Sequence, residues 1–231
     1  MRLILFLFTV LLFLNCEDKQ SKKKSVIKTV ETKDTLAKKP IQEPENEFPV
    51  LNDNNAIPFF AEYDKIHKEN KVRITTDFGD IDIILYNNTK YHRSNFIYLT
   101  KRHYFDDTQF YRVINNFMIQ GGNSDDMKTG RKRHEIGQYV LPTDTKKGYT
   151  HNRGVISMPS SEIDNPYKLA SPFEFFIVQQ QGGAHHLDGD FTIFGEVTRG
   201  MDVVDKIAAV ETDDGDWPLK NIYIRKVEIV E

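Results

Sequence analysis

Cysteine is nearly absent from this chain of 231 residues, which contains a single one, Cys16. One thiol can form neither an intramolecular disulfide nor a cysteine-based zinc site. The seven histidines show no HxxxH or HxH spacing that would replace such a site, although His185 and His186 are adjacent. The phosphate-binding motifs GxGxxG and GxxxxGK(S/T) are absent as well. We therefore predict a protein that carries no metal ion and no other cofactor.

The chain also lacks an excess of charge of one sign, because it contains 31 basic and 34 acidic residues and its net charge is −3 at pH 7. Such a chain has no overall positive field to neutralise phosphates, so nucleic acid is not a predicted partner. The length fits one globular domain with appendages, and we predict a monomer.

Long hydrophobic runs are missing apart from residues 3–14, which are apolar except for Thr9. A helix of that length spans about 18 Å, against about 30 Å for a bilayer core, which favours a cleaved signal peptide at 1–15 over a permanent span. The run ends at Cys16 and resembles a bacterial lipoprotein signal, in which this cysteine is acylated. We predict an extracytoplasmic protein, lipid-anchored to a bacterial membrane, the outer membrane being favoured. An ordinary export signal with an incidental cysteine is the alternative.

Residues 16–47 have the composition of a solvated, lipid-attached tether. From residue 17 onward they contain eight lysines, seven acidic residues and no aromatic residue, and so cannot bury enough apolar area to offset the entropy of ordering. A basic patch at Lys22, Lys23 and Lys24 that binds anionic headgroups is the alternative, although the segment's net charge is only about +1.

Patterns of helix and strand begin at residue 48. A helical pattern with a proline in its first turn predicts an N-terminal helical extension over 48–70. Period-two alternation predicts strands at 71–76 and 80–86, and Thr89 can cap the helix that follows. Short β-branched and aromatic segments predict six more strands, at 109–114, 117–120, 154–158, 173–179, 192–197 and 222–230. With a second main helix near residue 203, this pattern indicates a mainly β protein, an antiparallel barrel whose open ends are covered by two helices.

An arginine, Arg112, interrupts the apolar strand at 109–114. By strand alternation it shares a face with Phe110 and Ile114, so its guanidinium leaves the core, pairs with an acid or awaits a ligand. The residues alone do not distinguish a structural ion pair from a functional one. By the same reasoning Phe117 and Met118 are core residues.

The run FYRVINNFMIQGGN at 110–123 resembles the signature of the cyclophilin family of peptidyl-prolyl isomerases. Further segments resemble blocks of that family in the same order, and they lie at 154–158, 173–177, 187–189, 194–197 and 200–207. The resemblance covers residues 71–231, the predicted isomerase domain. It implies a closed eight-stranded barrel with two capping helices, in agreement with the pattern of strands and helices.

The resemblance also implies site residues. The family's catalytic arginine falls on Arg112 and its polar neighbour on Gln120, while its proline pocket falls on Phe117, Met118, Phe176 and Leu187. X-Pro isomerisation passes through a twisted amide whose nitrogen regains a lone pair, and a fixed cation can hydrogen-bond that nitrogen. This chemistry requires no nucleophile, general base or metal ion.

Several positions depart from the family pattern. Glu174 stands where Gln is common, on the predicted strand face of Phe176, and is expected to be able to pair with Arg112. His186 and Phe191 replace Trp and His of many eukaryotic members at the substrate-binding groove. Pro159 and Ser160 replace a common Ala-Asn pair, which changes the backbone that would contact the peptide.

We predict a prolyl isomerase that acts on Pro-containing polypeptides and assists the folding of exported proteins. A catalytically idle module that holds Pro-containing segments of a partner is one alternative, favoured by Glu174 and Pro159. The other alternative is a membrane-anchored solute or glycan binder, which would use an aromatic platform around His186 and Phe191.

Overall fold

The computed structural model of the protein describes residues 48–160 and 165–231. The predicted signal peptide at 1–15, the lipidation site Cys16 and the tether at 16–47 lie outside the described residues. Within the described ranges, no helix is both long enough and apolar enough to cross a membrane.

Ten strands and four α-helices make up this part of the chain. In chain order they are β1 Leu51–Asn52, α1 Ala56–Ile66, β2 Lys71–Thr76, β3 Gly79–Leu85, α2 Lys90–Lys101, β4 Thr108–Ile114, β5 Met118–Asn123, α3 Met127–Ile136, β6 Gly137–Gln138, β7 Val155–Ser157, β8 Phe175–Val178, β9 Ile193–Arg199, α4 Met201–Ala208 and β10 Ile222–Ile229. A short 3-10 helix, His185–Leu187, precedes β9.

Eight of the strands form a closed barrel, in the order β10, β2, β3, β9, β7, β8, β5, β4, and pairing of β4 with β10 closes it. Every neighbouring pair is antiparallel. The apolar members of the period-two pattern face inward, so that Ile74 lies opposite Ile81 and Val72 opposite Ile83, all of them buried. The predicted eight-stranded antiparallel barrel is confirmed.

Helices α2 and α4 pack against the barrel, as predicted. In α2 nine consecutive residues are buried, while α4 buries one face that includes Val204 and Ile207. Thr89 precedes α2, but its hydroxyl donates to the carbonyl of Tyr86 and does not cap the helix. A glycine is required before α4, because Gly200 has φ of 99° and a Cβ there would lie 2.3 Å from the Asp80 carbonyl oxygen.

The N-terminal extension contains helix α1, which begins two residues before Pro58 and packs on α2. Its buried residues are Ala56, Phe60 and Tyr63. Ring contacts join Phe60 and Tyr63 to Tyr98 of α2 at centroid distances of 5.7 and 5.6 Å. The extension is therefore fixed to the barrel domain by an aromatic cluster.

Two features were not predicted from the sequence. Helix α3 is capped by Asp126, whose carboxylate accepts from the backbone N–H of Lys128 at 2.8 Å, and it buries only Thr129 and Ile136. Strand β6, which follows α3 directly, pairs in parallel with β1. The inserted helix is thereby connected to the N-terminal extension.

The apolar interior is divided into two clusters. The larger one fills the barrel and the interfaces with α1, α2 and α4. The smaller one consists of Met118, Val155, Phe176, Val178, Ala184 and Ile193, with partly buried side chains packed against it that include Phe117, Leu187 and Phe191. This second cluster reaches solvent at the candidate site.

Candidate active site

The strand register places three predicted site residues in one row. Arg112 of β4 lies opposite Gln120 of β5, and Gln120 lies opposite Phe176 of β8. Directly opposed residues on neighbouring strands project to the same face of a sheet. The cation, the polar side chain and the aromatic ring therefore lie side by side.

A cavity of about 100 Å³ opens over this row. It is lined by Arg112, Phe117, Met118, Gln120, Pro159, Phe176, Leu187 and Phe191. An apolar cavity of about 150 Å³ can hold a benzene ring, so this volume is of the order needed for the ring of a proline. The wall is mainly apolar, while Arg112 and Gln120 supply hydrogen-bond donors at one side.

Two predicted site residues do not line this cavity. His186 lies at the rim, where its ring stacks on Phe117 at a centroid distance of 5.4 Å. Glu174 contacts a different arginine. The other seven predicted residues converge on one pocket, but their roles in binding and catalysis stay predictions.

Arg112 has a carboxylate partner that the sequence did not indicate. Its Nε donates to Oδ2 of Asp216 at 3.3 Å, and the arginine side chain is 43% exposed. Gln120 is held by Tyr111, since its amide nitrogen donates to the tyrosine hydroxyl. Each polar side chain of the pocket therefore has a fixed neighbour.

The expected pairing of Glu174 with Arg112 is wrong. Glu174 Oε1 accepts from Nη2 of Arg133 in α3 at 3.1 Å, and its side chain is 9% exposed. Strand alternation did not apply, because β8 begins at Phe175 and Glu174 precedes it. Helix α3, which the sequence did not reveal, supplies the arginine.

Arg133, itself partly exposed, joins a polar network whose other side chains, Tyr104 and Glu174, are buried. Its Nε donates to the hydroxyl of Tyr104 at 2.8 Å, and that hydroxyl donates to the carbonyl of Gly122 at 2.7 Å. Burial raises the pKa of Tyr104 to about 12. Burial also disfavours the charged guanidinium of Arg133, but its interactions with Tyr104 and Glu174 outweigh that effect and raise its pKa.

A histidine missed by the sequence reasoning, His151, lies behind the pocket. Its ring is parallel to that of Phe176 within 10°, with centroids 6.0 Å apart. Nδ1 bonds to Asp188 at 2.8 Å and Nε2 to the hydroxyl of Ser157 at 3.2 Å. Burial lowers the pKa of His151, although Asp188 opposes the shift. Asp188 directly follows the 3-10 helix that ends at Leu187, so this histidine joins the pocket wall to its rim.

No three His, Cys, Asp or Glu side chains among residues 48–160 and 165–231 are grouped so that they could hold a metal ion.

Known proteins resemble this chain along the barrel domain. Over 160 residues it is 38% identical to peptidyl-prolyl cis-trans isomerase cypE of Dictyostelium discoideum, covering 68% of this chain and 96% of that protein. Over 143 residues it is 35% identical to a peptidyl-prolyl cis-trans isomerase of Acinetobacter baylyi, covering 61% and 73%. Over 169 residues it is 37% identical to peptidyl-prolyl cis-trans isomerase-like 2 of Rhizopus delemar, covering 72% of this chain but 30% of that protein.

The fold is found in solved structures as well. A crystal structure of a cyclophilin type peptidyl-prolyl cis-trans isomerase of Cryptosporidium parvum matches with a TM-score of 0.58 and 25% identity, covering 71% of this chain and 98% of that one. The family described as cyclophilin type peptidyl-prolyl cis-trans isomerase/CLD matches residues 71–229. Barrel, pocket and relatives agree, and the chain belongs to the cyclophilin-type peptidyl-prolyl cis-trans isomerases.

Proposed function

We propose that the pocket binds the proline ring of an X-Pro segment and that Arg112 is the catalytic residue. The observation that carries this proposal is that one guanidinium shares a pocket of ring size with an apolar wall that includes Phe117, Met118 and Phe176. A crystal structure of the Cryptosporidium parvum relative was obtained in the presence of the dipeptide Ala-Pro. That result supports a proline-containing peptide as the ligand.

The chemistry follows from the electronic structure of the amide. Rotation about the C–N bond has a barrier of roughly 18–20 kcal/mol, because the twisted state loses resonance. The proline nitrogen is a poor acceptor when planar and a good one when twisted. A hydrogen bond from Arg112 to that nitrogen is therefore stronger in the transition state than in the ground state, which is the condition for catalysis.

The apolar wall has a separate task. Rotation about one bond is accelerated only if one side is held while the other turns, and a ring seated against Phe176 and Met118 is held on the proline side. No covalent bond forms or breaks. A rate gain of about 10⁵ requires about 7 kcal/mol, which one charge-assisted hydrogen bond, orientation and desolvation together can supply.

The test is turnover on a set of X-Pro peptides. Uncatalysed isomerisation takes tens to hundreds of seconds at 25 °C, so catalysis is measured directly as faster exchange between the cis and trans forms. Acceleration is expected. Binding of the same peptides without acceleration would support the idle binding module, which is favoured by Pro159 in the pocket wall.

We further propose that the protein is extracytoplasmic, anchored to a bacterial membrane through an acylated Cys16, with the outer membrane favoured, and that it assists the folding of exported proteins there. The signal at 1–15 and the composition of 16–47 support this proposal. Two or three acyl chains, at about 0.8 kcal/mol per buried CH₂, anchor a protein stably.

Replacing Cys16 by Ser tests the anchor. The variant is expected to leave the membrane fraction, and mass spectrometry of the wild-type N-terminus is expected to show acylation at this residue. A variant that stays in the membrane with its signal removed would show that another element holds it there.

A further inference from the structure

The loop of residues 209–221, between α4 and β10, is attached to β4 beside the catalytic arginine. The carbonyl of Asp216 accepts from the backbone N–H of Val113 at 2.9 Å, and Val113 directly follows Arg112. A turn within the loop fixes Asp216 further, since its N–H donates to the carbonyl of Asp213 at 3.1 Å. The carboxylate of Asp216 is therefore presented from a fixed backbone.

The contact between Asp216 and Arg112 uses one edge of the guanidinium only. Nε donates to the carboxylate, and within residues 48–160 and 165–231 no second hydrogen-bond partner of this guanidinium is recorded. A guanidinium is planar and carries five N–H donors. When its Nε edge is held, the four N–H groups of Nη1 and Nη2 remain available on the other edges.

The same loop also reaches the second polar side chain of the pocket. The ring of Trp217 lies 5.7 Å from that of Tyr111, and the hydroxyl of Tyr111 accepts from Gln120. Of these consecutive loop residues, Asp216 therefore contacts the pocket donor Arg112 directly, whereas Trp217 contacts Tyr111, the neighbour of the second donor, Gln120.

We propose that Asp216 is a positioning residue, which holds the Nε edge of Arg112 so that its Nη groups face the X-Pro amide. The inference rests on the proposed function of Arg112. An unheld arginine side chain loses rotamer entropy on reaching one geometry, and Asp216 imposes part of that loss before substrate arrives. The carboxylate acts on the arginine and not on the substrate.

The experiment compares kcat and KM on one uncharged X-Pro peptide. Asp216 has φ of 64°, so the variants are Asp216→Gly and Asp216→Asn, two residue types that tolerate this conformation. A half-exposed ion pair contributes up to about 1 kcal/mol, so Asp216→Gly is expected to lower kcat about fivefold with little change in KM. Asp216→Asn keeps an acceptor oxygen and is expected to restore part of the activity, with about a twofold loss.

The matched controls are Asp214→Gly and Asp214→Asn, which make the same changes at an exposed position of the same loop. They are expected to leave kcat unchanged. In an Arg112→Ala background, Asp216→Gly is expected to have no further effect, because the arginine it positions is gone. An equal loss in both backgrounds, or an equal loss in the Asp214 controls, would assign the effect to the loop fold and overturn the inference.

Two further results would also overturn it. A rise in kcat for Asp216→Gly would show that Asp216 competes with substrate for the guanidinium.

A nuclear magnetic resonance spectrum of the Nε–H of Arg112 provides a readout that does not depend on turnover. Slow solvent exchange of this proton in the wild type, lost in Asp216→Gly, is expected. Slow exchange of the Arg112 Nε–H without turnover by the wild type would show that the proposed function is wrong. Turnover together with free exchange of this proton in the wild type would show that the positioning role is wrong.

Discussion

Arg112 and Arg133 each pair with one carboxylate close to strand β5, yet their surroundings differ. The Arg112 and Asp216 side chains are 43% and 39% exposed, and this contact is the one hydrogen bond recorded for the guanidinium within the described ranges. The Arg133 and Glu174 side chains are 29% and 9% exposed. Arg133 also bonds to the hydroxyl of Tyr104 and lies over the ring of Phe173 at 5.3 Å.

The difference shows which arginine is available for chemistry. A guanidinium whose donors are used by buried acceptors is held by the fold, and removing it leaves those acceptors unsatisfied. A guanidinium held at one edge and open at the others loses little by turning to a ligand. The sequence contains both arginines, but only their hydrogen-bond partners distinguish Arg133, whose donors the fold uses, from Arg112, for which we propose the catalytic role.

The largest expected effect is a loss of activity at the exposed pair, Arg112 and Asp216. Replacing Arg112 by Ala is expected to lower kcat/KM about 100-fold, or about 2.7 kcal/mol, because a charge-assisted hydrogen bond made in the transition state is lost. The urea midpoint is expected to stay unchanged, since a half-exposed side chain is removed. Arg112→Lys is expected to be poor as well, because an ammonium lacks the planar fork. A loss below tenfold would contradict the catalytic role.

At the second pair, Arg133 and Glu174, we expect the reverse: a substitution lowers stability and leaves activity almost unchanged. Arg133→Met is expected to lower the free energy of unfolding by about 2 kcal/mol, because Glu174 is left buried without its partner. This figure is below that of a fully buried pair because Arg133 is partly exposed. Urea unfolding at pH 7 measures it, and kcat/KM of the folded variant is expected to stay within threefold of the wild type.

A second substitution checks the cause of that loss. With Glu174→Gln added, the charge left alone in Arg133→Met is removed, so the double variant is expected to recover about half of the lost stability. Glu174→Gln alone is expected to leave kcat/KM unchanged between pH 5 and pH 8, because Glu174 does not contact Arg112. A rise in kcat/KM on this substitution would indicate that Glu174 does act on Arg112, against the pairing with Arg133 that the structure shows.

The parts of the fold that the sequence predicted are those with a local pattern. Strands β2 and β3 were found because Val72, Ile74, Ile81 and Ile83 alternate with polar residues, and the row from Arg112 to Phe176 followed from matching family blocks. Helix α3 escaped because it is polar, contains Gly130 and buries two residues, so that no apolar stripe marks it.

The parts of the site that were missed join residues far apart in the chain. Asp216 is 104 positions from Arg112, and Asp188 is 37 positions from His151. The spacing of apolar residues and the alternation of side chains along a strand carry information within one helix or strand. These contacts depend instead on where loops cross the barrel. The error at Glu174 has the same origin, because strand alternation was applied to a residue that lies before β8, which begins at Phe175.

The smallest expected effect separates the two pairs by their response to salt. At 1 M salt the screening length falls to about 3 Å, against about 10 Å at 0.1 M, so an exposed ion pair is weakened and a buried one much less. If Asp216 positions Arg112, raising KCl from 0.1 to 1 M should reduce the advantage of the wild type over Asp216→Asn in kcat/KM from about twofold towards none. Any effect of KCl on binding of the proline ring is shared by both proteins, so that the ratio of their kcat/KM values reports the ion pair. The stability difference between the wild type and Arg133→Met should change much less over the same range. An activity ratio that is insensitive to salt would mean that the carboxylate of Asp216 acts as a hydrogen-bond acceptor and not through its charge, and the contrast between an exposed and a buried pair would then rest on geometry alone.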